Sequence, residues 1–593
     1  MAVAPWAHAQ TTRPNVILIL VDDLGAVDLA CYGSRFHRTP HLDRLAADGM
    51  RFTSAYAACP VCSPTRAAVM TGKYPARLHI TDWIPGQPDR PVHRLLRPAF
   101  RQELPLEEIT LAERLHQAGY ATATIGKWHL GGDGFEPTRQ GFDLNIGGDA
   151  SGSPKSYFPP FAREGFTMPG LADAPPGEYL TDRLFDEAVH FLSAQREHPF
   201  FLYLPLYAVH TPLMAPQPAV DSFQDVPPHG QQRNPVYAAM LECVDTGVGR
   251  LIATLDQLQL SPNTIVLFTS DNGGLATTEG NRTPATNNAP LREGKGYLYE
   301  GGIRVPLLVK WPGHVAAGSQ CDAPVSSIDL APTIAAACNV SVEDALDGVS
   351  LLPLLEQKGE LVRDALYWHY PHYSNQGGQP GGAIRRGDFK LIEFYERGRR
   401  ELFNLRQDPS ENVNLAEKQP QLVAELALLL ATWREQVGAQ SMTPNLDYHP
   451  NPQQSDGSIQ LLAKTADVQG VMLRYEPLPH KNTLGFWTRA DDWASWEFEV
   501  TQPGTFQVSV LQGCGPGSGG SEVELTVGDQ TLRFTVQETK GFQDFIERDL
   551  GRINIAQPGR HTLTIKPLTK PGPAVMDLRS LKLTPVSPSE TTK

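Results

Sequence analysis

The chain has 593 residues, 41% of them hydrophobic and 20% charged, a balance that predicts two or three folded domains and excludes long disorder. Its formal net charge of −14 excludes a general nucleic-acid binder, which needs a basic face. No apolar run reaches the ~20 residues that span a bilayer, and screening over roughly 8–10 Å lets a local cationic pocket override the global sign.

The first residues, MAVAPWAHAQ, carry Ala7-His8-Ala9 before Gln10. That is the small-x-small end of a signal peptide without its charged region or a full apolar stretch. Residues 1–14 are therefore expected to be a signal remnant, implying a periplasmic or secreted protein, the alternative being a frayed tail. Seven cysteines, at 31, 59, 62, 243, 321, 338 and 514, show no disulfide-scaffold rhythm. Cys59 and Cys62 form C-x-x-C, but no second pair follows at zinc-finger distance.

Four segments share one layout, an apolar run that stops at ionisable residues. Residues 15–21 end at Asp22-Asp23, 121–126 at Lys127-Trp128-His129, 200–204 continue to His210, and 264–269 end at Asp271-Asn272. Strands apolar on both faces belong in the middle of a mostly parallel sheet covered by helices. Helical patterns at 39–48, 106–118, 179–195 and 234–258 lie between them, which makes the region α/β. Ligands bind such sheets at the carboxyl ends of strands, so all four polar clusters are predicted to gather along one edge.

Beyond residue 360 the pattern changes. Segments 389–394 and 400–404 read as short antiparallel strands, 419–437 as a helix, and 441–460 as a polar linker. From 461 to 586 alternating segments (471–475, 496–500, 506–510, 523–527, 561–565, 578–583) separated by Gly/Pro turns predict a β-sandwich. Trp487, Trp493 and Trp496 are its candidate sugar platforms, Trp496 also fitting a core position because it alternates with Phe498 and Val500.

The chemistry lies in the first region. Asp22, Asp23, Asp271 and Asn272 offer hard oxygens from two strand ends, a set suited to calcium or magnesium, although each pair alone fits a turn or cap. Lys127 and His129 face one way in an extended segment. Lys295 sits in a glycine-bearing stretch, 291–306. Singly, each of these fits an exposed lysine or a core histidine. In PVCSPTRAAVMTG (60–72) Pro64 suits a first helical position, which puts Cys62 and Ser63 at a helix N-terminus with Arg66 one turn in. A thiol in that cationic niche is expected to ionise easily.

The stretch resembles the C-x-P-x-R signature of the type I, formylglycine-dependent sulfatases of the alkaline phosphatase superfamily. The likeness spans residues 15–415 and includes 126–131 and 294–306. Thr65 stands where serine is commoner, and Lys73 where arginine often follows the glycine. The resemblance implies an alkaline-phosphatase-like α/β fold with its mostly parallel sheet in a catalytic domain (15–360) and a small antiparallel subdomain (361–440). It implies calcium held by Asp22, Asp23, Asp271, Asn272 and the modified Cys62, and formylglycine made from Cys62 by a maturation enzyme. It further implies that Arg66 steadies the hydrate, Lys127 and Lys295 bind sulfate oxygens, His210 protonates the leaving oxygen, and His129 takes the proton that lets the sulfated hydrate collapse. The sandwich resembles carbohydrate-binding modules appended to some bacterial sulfatases.

The expected substrate is a sulfate ester, on a sulfated carbohydrate. Residues 82–105, with Arg90, His93, Arg94, Arg97 and Arg101, are either a cationic rim for an anionic glycan or a solvated loop. Residues 368–373 (WHYPHY) fit a sugar-binding wall or a packed strand. Competing readings are a phosphonate monoester or phosphodiester hydrolase, a non-catalytic binder of sulfated glycans, and a thiol–disulfide oxidoreductase.

Overall fold

A computed structural model describes residues 13–161 and 168–586. The Ala7-His8-Ala9 stretch lies outside them. The chain divides into two compact units. The first comprises the chain through Gly86, Ala99–Tyr370 and Ala431–Gln440; the second comprises Gln87–Pro98, Pro371–Leu430 and the chain from Ser441 on.

Among the described residues, nine strands form the central sheet of the first unit. They are β1 (Asn15–Val21), β2 (Met50–Tyr56), β3 (Ala121–Ile125), β4 (Leu144–Ile146), β5 (Phe200–Pro205), β6 (Thr264–Ser270), β7 (Arg304–Lys310), β8 (Ser319–Cys321) and β9 (Val325–Ser326). The order is β9-β2-β7-β6-β1-β5-β3-β4, with β8 paired to β2. The four apolar runs are adjacent and parallel (β6-β1-β5-β3), while β7 runs antiparallel to both β6 and β2.

Alternation on these strands feeds two cores. On β1, Ile17, Ile19 and Val21 enter one cluster, with Leu202, Leu204, Val266 and Phe268. Val16, Leu18 and Leu20 enter the other, with Phe201, Tyr203, Ile265 and Leu267. Burying each such side chain contributes about 1.5–3 kcal/mol. The first layer is covered by α1 (Pro40–Asp48), α4 (Leu180–Ala194) and α5 (Pro235–Gln257), the second by α2 (Cys62–Thr71) and α3 (Leu111–Gln117). This is the α/β architecture expected of the first region. Helix α3 starts later than its apolar pattern because Thr110 and Glu113 form a reciprocal capping box: the Glu113 N–H donates to Thr110 Oγ1 at 3.1 Å, and the Thr110 N–H to Glu113 Oε2 at 2.7 Å.

Helix α2 corrects another register. It begins at Cys62, so Pro64 is the third helical residue rather than the first. Pro64 is still tolerated, because the first four N–H groups have no intrahelical partner. Gly72 ends the helix at φ 72°, its N–H donating to Ala68 O at 2.8 Å. Thr65 fits its place: its hydroxyl receives the Cys59 N–H and donates to the Cys59 carbonyl, both at 3.1 Å, which fastens the approach to the helix.

In the second unit, Gly381–Arg386, Phe389–Phe394 and Arg399–Asn404 pair in order as an antiparallel ladder. Residues 441–460 contain Thr443–Pro444, which pairs with Leu95–Leu96. Helix Pro420–Gln436 follows the ladder, and from Ile459 on the chain forms two antiparallel sheets. One centres on Asp577–Pro585 beside Gly504–Gly513. The other runs Asp467–Gln469, Trp493–Val500, Gly559–Pro567, Glu522–Val527, Gln530–Thr535. The strand expected at 471–475 starts only at Arg474, because Asp492 draws the N–H groups of Val471, Met472 and Leu473 onto its carboxylate at 2.8–2.9 Å.

Trp487 and Trp496 are fully buried, their ring N–H groups donating to Asp492 O at 2.9 Å and Leu462 O at 2.8 Å. Both are core residues, and the sugar-platform reading fails for them; Trp493 is half-buried. The rim reading of 82–105 narrows as well. Arg94 pairs with Glu497 and lies 4.8 Å over the Tyr448 ring. His93 stacks on Tyr373 with centroids 4.0 Å apart. Burial, then Arg90, pushes that imidazole down to about 4, so it is uncharged at neutral pH. Arg90 and Arg101 are exposed. Of residues 368–373, Trp368 and Tyr370 are packed strand: the Trp368 ring N–H donates to Ala57 O at 2.8 Å, and the Tyr370 hydroxyl to Asp82 at 3.0 Å.

Candidate active site

The ends of β1, β3, β5 and β6 deliver their polar residues to one place, together with the start of α2 and the loop bearing Lys295. Backbone geometry makes this possible. Gly126, at φ 126°, lies where a Cβ would stand 2.0 Å from Pro205 O, so only glycine lets β3 turn toward β5 before Lys127. Asp23 (φ 62°), His129 (φ 57°) and Glu293 (φ 60°) adopt left-handed backbone without being glycine. Each costs of order 1–3 kcal/mol, an expense characteristic of functional sites.

Three carboxylates and three cations interlock. Arg66 donates from Nε and Nη2 to Asp271 Oδ2 at 2.9 and 2.7 Å, and its Nη2 lies 3.6 Å from Asp22 Oδ2. Lys127 Nζ bonds Asp22 Oδ2, and Lys295 Nζ reaches Asp23 Oδ2 at 2.9 Å. His210 Nε2 is 3.7 Å from the same Asp23 oxygen. The Asn272 amide donates to Asp23 Oδ1 at 2.7 Å, and the Asp23 N–H reaches Asp271 Oδ1 at 3.3 Å. Cys62 Sγ stands 3.4 Å from His129 Nδ1. All the residues expected at the site are thus brought together. What the sequence did not reveal is that Arg66 is tied to Asp271 and fully buried.

Burial governs the titrations. It opposes the charge on Arg66 and Lys295, yet Asp271 and Asp22 hold the first above the guanidinium range and Asp23 the second above the lysine range. It also pushes Asp22 up, but Lys127, His210 and Arg66 together hold that carboxyl below its usual range. Burial and then Lys127 hold the His129 imidazole well below the ordinary histidine range, hence neutral. The expectation of an easily ionised thiol at 62 is overturned: burial pushes it up, outweighing Lys127 and Lys295, with Asp22 and Asp271 adding to the rise. As a thiol this residue is a poor nucleophile at neutral pH.

Two oxygens test whether a cation fits. Asp22 Oδ1 and Asn272 Oδ1 are buried and accept no hydrogen bond. An unsatisfied buried acceptor costs about 1–3 kcal/mol, and two of them from neighbouring strand ends suit a hard divalent cation. Asp22, Asp23 and His210 each offer an atom within 4.8 Å of the others. Oxygens on Asp22, Asp23 and Asn272, with His210 beside them, are a donor set that fits a divalent cation.

Residues 14–340 match the family model described as sulfatase, and 294–436 the model described as N-sulphoglucosamine sulphohydrolase, C-terminal. Residues 476–587 match a domain of unknown function. The chain is 35% identical to human arylsulfatase A over 68% of its own length and 83% of that protein. It is 34% identical to human N-acetylgalactosamine-6-sulfatase over 60% and 68%. Among solved structures, Ps i-CgsB in complex with k-i-k-neocarrahexaose superposes with a TM-score of 0.61 at 32% identity, covering 71% of this chain and 93% of the other. With the fold, the clustered charges and these matches in hand, the chain belongs to the sulfatase family of sulfuric ester hydrolases, on an alkaline-phosphatase-like fold.

Proposed function

We propose that this protein hydrolyses a sulfate monoester on a sulfated carbohydrate, using a formylglycine hydrate derived from Cys62 and a calcium ion held by Asp22, Asp23, Asp271, Asn272 and residue 62. The observation that carries the reading is the pair of unsatisfied oxygens on Asp22 and Asn272 beside a residue-62 side chain facing His129. A carbohydrate substrate is supported by the names of relatives, an N-acetylgalactosamine-6-sulfatase and a protein complexed with a neocarrahexaose.

When present, the cation and the aldehyde hydrate supply charge neutralisation, a hydroxyl nucleophile and a second hydroxyl whose deprotonation drives release. The chain's own residues do the rest. Lys127 and Lys295, now folded onto Asp22 and Asp23, are placed to turn to the anionic oxygens of the ester and neutralise charge as it spreads. His210 Nδ1 donates to the Thr211 carbonyl at 2.7 Å, so it is in the doubly protonated imidazolium, with Nε2 3.7 Å from Asp23, that Nε2 meets the leaving oxygen and gives it a proton. His129, neutral, accepts the proton of the residue-62 side chain at Nδ1. Arg66, locked between carboxylates, orients the residue-62 side chain on its own helix.

The test is sulfate release from a panel of defined sulfated oligosaccharides, run beside a phosphonate monoester and a phosphodiester, before and after chelation. Sulfate release that is lost on chelation and restored by calcium is expected. Faster turnover of the phosphorus esters overturns the reading.

A further inference from the structure

The imidazole of His129 is held on every side, and two of the residues holding it carry no charge and no obvious role in the chemistry. We propose that Ser63 and Gly152 are positioning residues that fix His129 in one ring plane and one tautomer, with the Nδ1 lone pair facing the side chain of residue 62. The proposal rests on the reading that His129 receives a proton there.

Three hydrogen bonds close a ring. His129 Nε2 stands 2.6 Å from the Ile84 carbonyl oxygen; the Ile84 N–H donates to Ser63 Oγ at 3.2 Å; Ser63 Oγ donates to the His129 carbonyl oxygen at 3.0 Å. A carbonyl only accepts, so Nε2 carries the hydrogen and Nδ1, 3.4 Å from Cys62 Sγ, is left as the acceptor. The His129 N–H donates to Asp149 O at 3.0 Å, pinning the left-handed main chain from the other side.

Gly152 closes the remaining face. A Cβ there would lie 2.5 Å from Cε1, 2.7 Å from Nε2 and 3.1 Å from Nδ1 of the ring. The Gly152 backbone is not left-handed, so its lack of a side chain serves the close approach rather than the turn. With both nitrogens engaged and the residue 1% exposed, the ring has nowhere to retreat. An alanine must break the Ile84 contact or lift Nδ1 away from residue 62. Displacing a reacting group by about 1 Å can cost on the order of 10²-fold in rate.

The experiment compares Gly152→Ala, Ser63→Ala and Ser63→Thr with the parent, with kcat normalised to the modified fraction of residue 62 read by peptide mass. Gly152→Ala is expected to lower kcat by about 10–100-fold with KM within about twofold. Ser63→Ala is expected to lower it by about 10-fold, and Ser63→Thr to recover most of the loss because it keeps the hydroxyl. Independently, ¹⁵N-histidine spectra of the parent, with His129 assigned through His129→Asn, should show hydrogen on Nε2 and none on Nδ1. Unchanged kcat in both alanine variants, or hydrogen on Nδ1 in the parent, overturns the proposal. If Gly152→Ala does not fold, the Ser63 pair and the parent spectrum decide. If the parent releases no sulfate from any ester, the reading of function fails, and the tautomer measurement still decides the positioning.

Discussion

The strand ends of the first unit and the sandwich of the second bury polar groups in opposite ways. In the sandwich the buried indoles of Trp487 and Trp496 each find a carbonyl, and Asp492 satisfies three backbone N–H groups. At the strand ends, buried oxygens of Asp22 and Asn272 have no partner, like and unlike charges are packed without solvent, and Asp23 and His129 hold costly backbone conformations. The difference is one of placement: the sandwich's own unpartnered hydroxyls, on Ser518 and Ser521, are uncharged groups, whereas the strand ends set unpartnered ligand-type oxygens among charged side chains.

The largest effect should come from Cys62, whose thiol burial holds in its protonated form and whose aldehyde hydrate is the nucleophile of the proposed mechanism. Cys62→Ala is expected to reduce sulfate release by at least about 10⁴-fold, since covalent catalysis loses its acceptor, while the unfolding midpoint stays within a few degrees. A catalytic residue in the sandwich would be needed to rescue that activity, and none is expected.

Next is Arg66→Met. Removing one partner of a buried ion pair leaves Asp271 without its bonded cation, while Asp22 keeps Lys127, and should cost about 3–5 kcal/mol, read as a lowered midpoint in urea together with lost activity. Trp487→Ala separates the two quantities: about 3–5 kcal/mol of stability from the sandwich core, with kcat of the folded fraction unchanged. Should Trp487→Ala instead leave stability intact and weaken glycan binding, the contrast between the regions breaks.

The smallest effect concerns pH. Burial, then neighbouring Glu476, pushes the Asp577 carboxyl up to about 7. A carboxyl whose folded pKa exceeds its unfolded value contributes stability that is complete below the unfolded pKa and is lost as pH rises through about 7. Asp577→Asn should therefore flatten the stability profile between pH 5 and 8 by on the order of 2 kcal/mol, measured by denaturant titration at each pH. Sulfate release should keep its pH profile in that variant.

How much of this was legible in the sequence depends on which force fixes each feature. The four central strands were, because strands buried on both faces leave uninterrupted apolar runs, and the polar residues that end them marked the site. Helix starts were less so: the Thr110–Glu113 box cut α3 short, and Cys62 opened α2 two residues before Pro64. The thiol's behaviour was misread because helix-end charge was visible while complete desolvation was not. Ser63, Ile84 and Gly152 left no signal, since what matters in them is a hydroxyl, a carbonyl and an empty face brought against His129 by folding. In the sandwich, alternation gave the strands, but an aromatic rich in surface area reads alike as platform or core until its neighbours are placed.

The most direct test is intact-peptide mass spectrometry across residue 62 on protein whose sulfate release has been measured. An aldehyde or its hydrate is predicted at that position, with activity rising in proportion to its occupancy. A fully active preparation carrying an unaltered thiol at residue 62 would contradict the account.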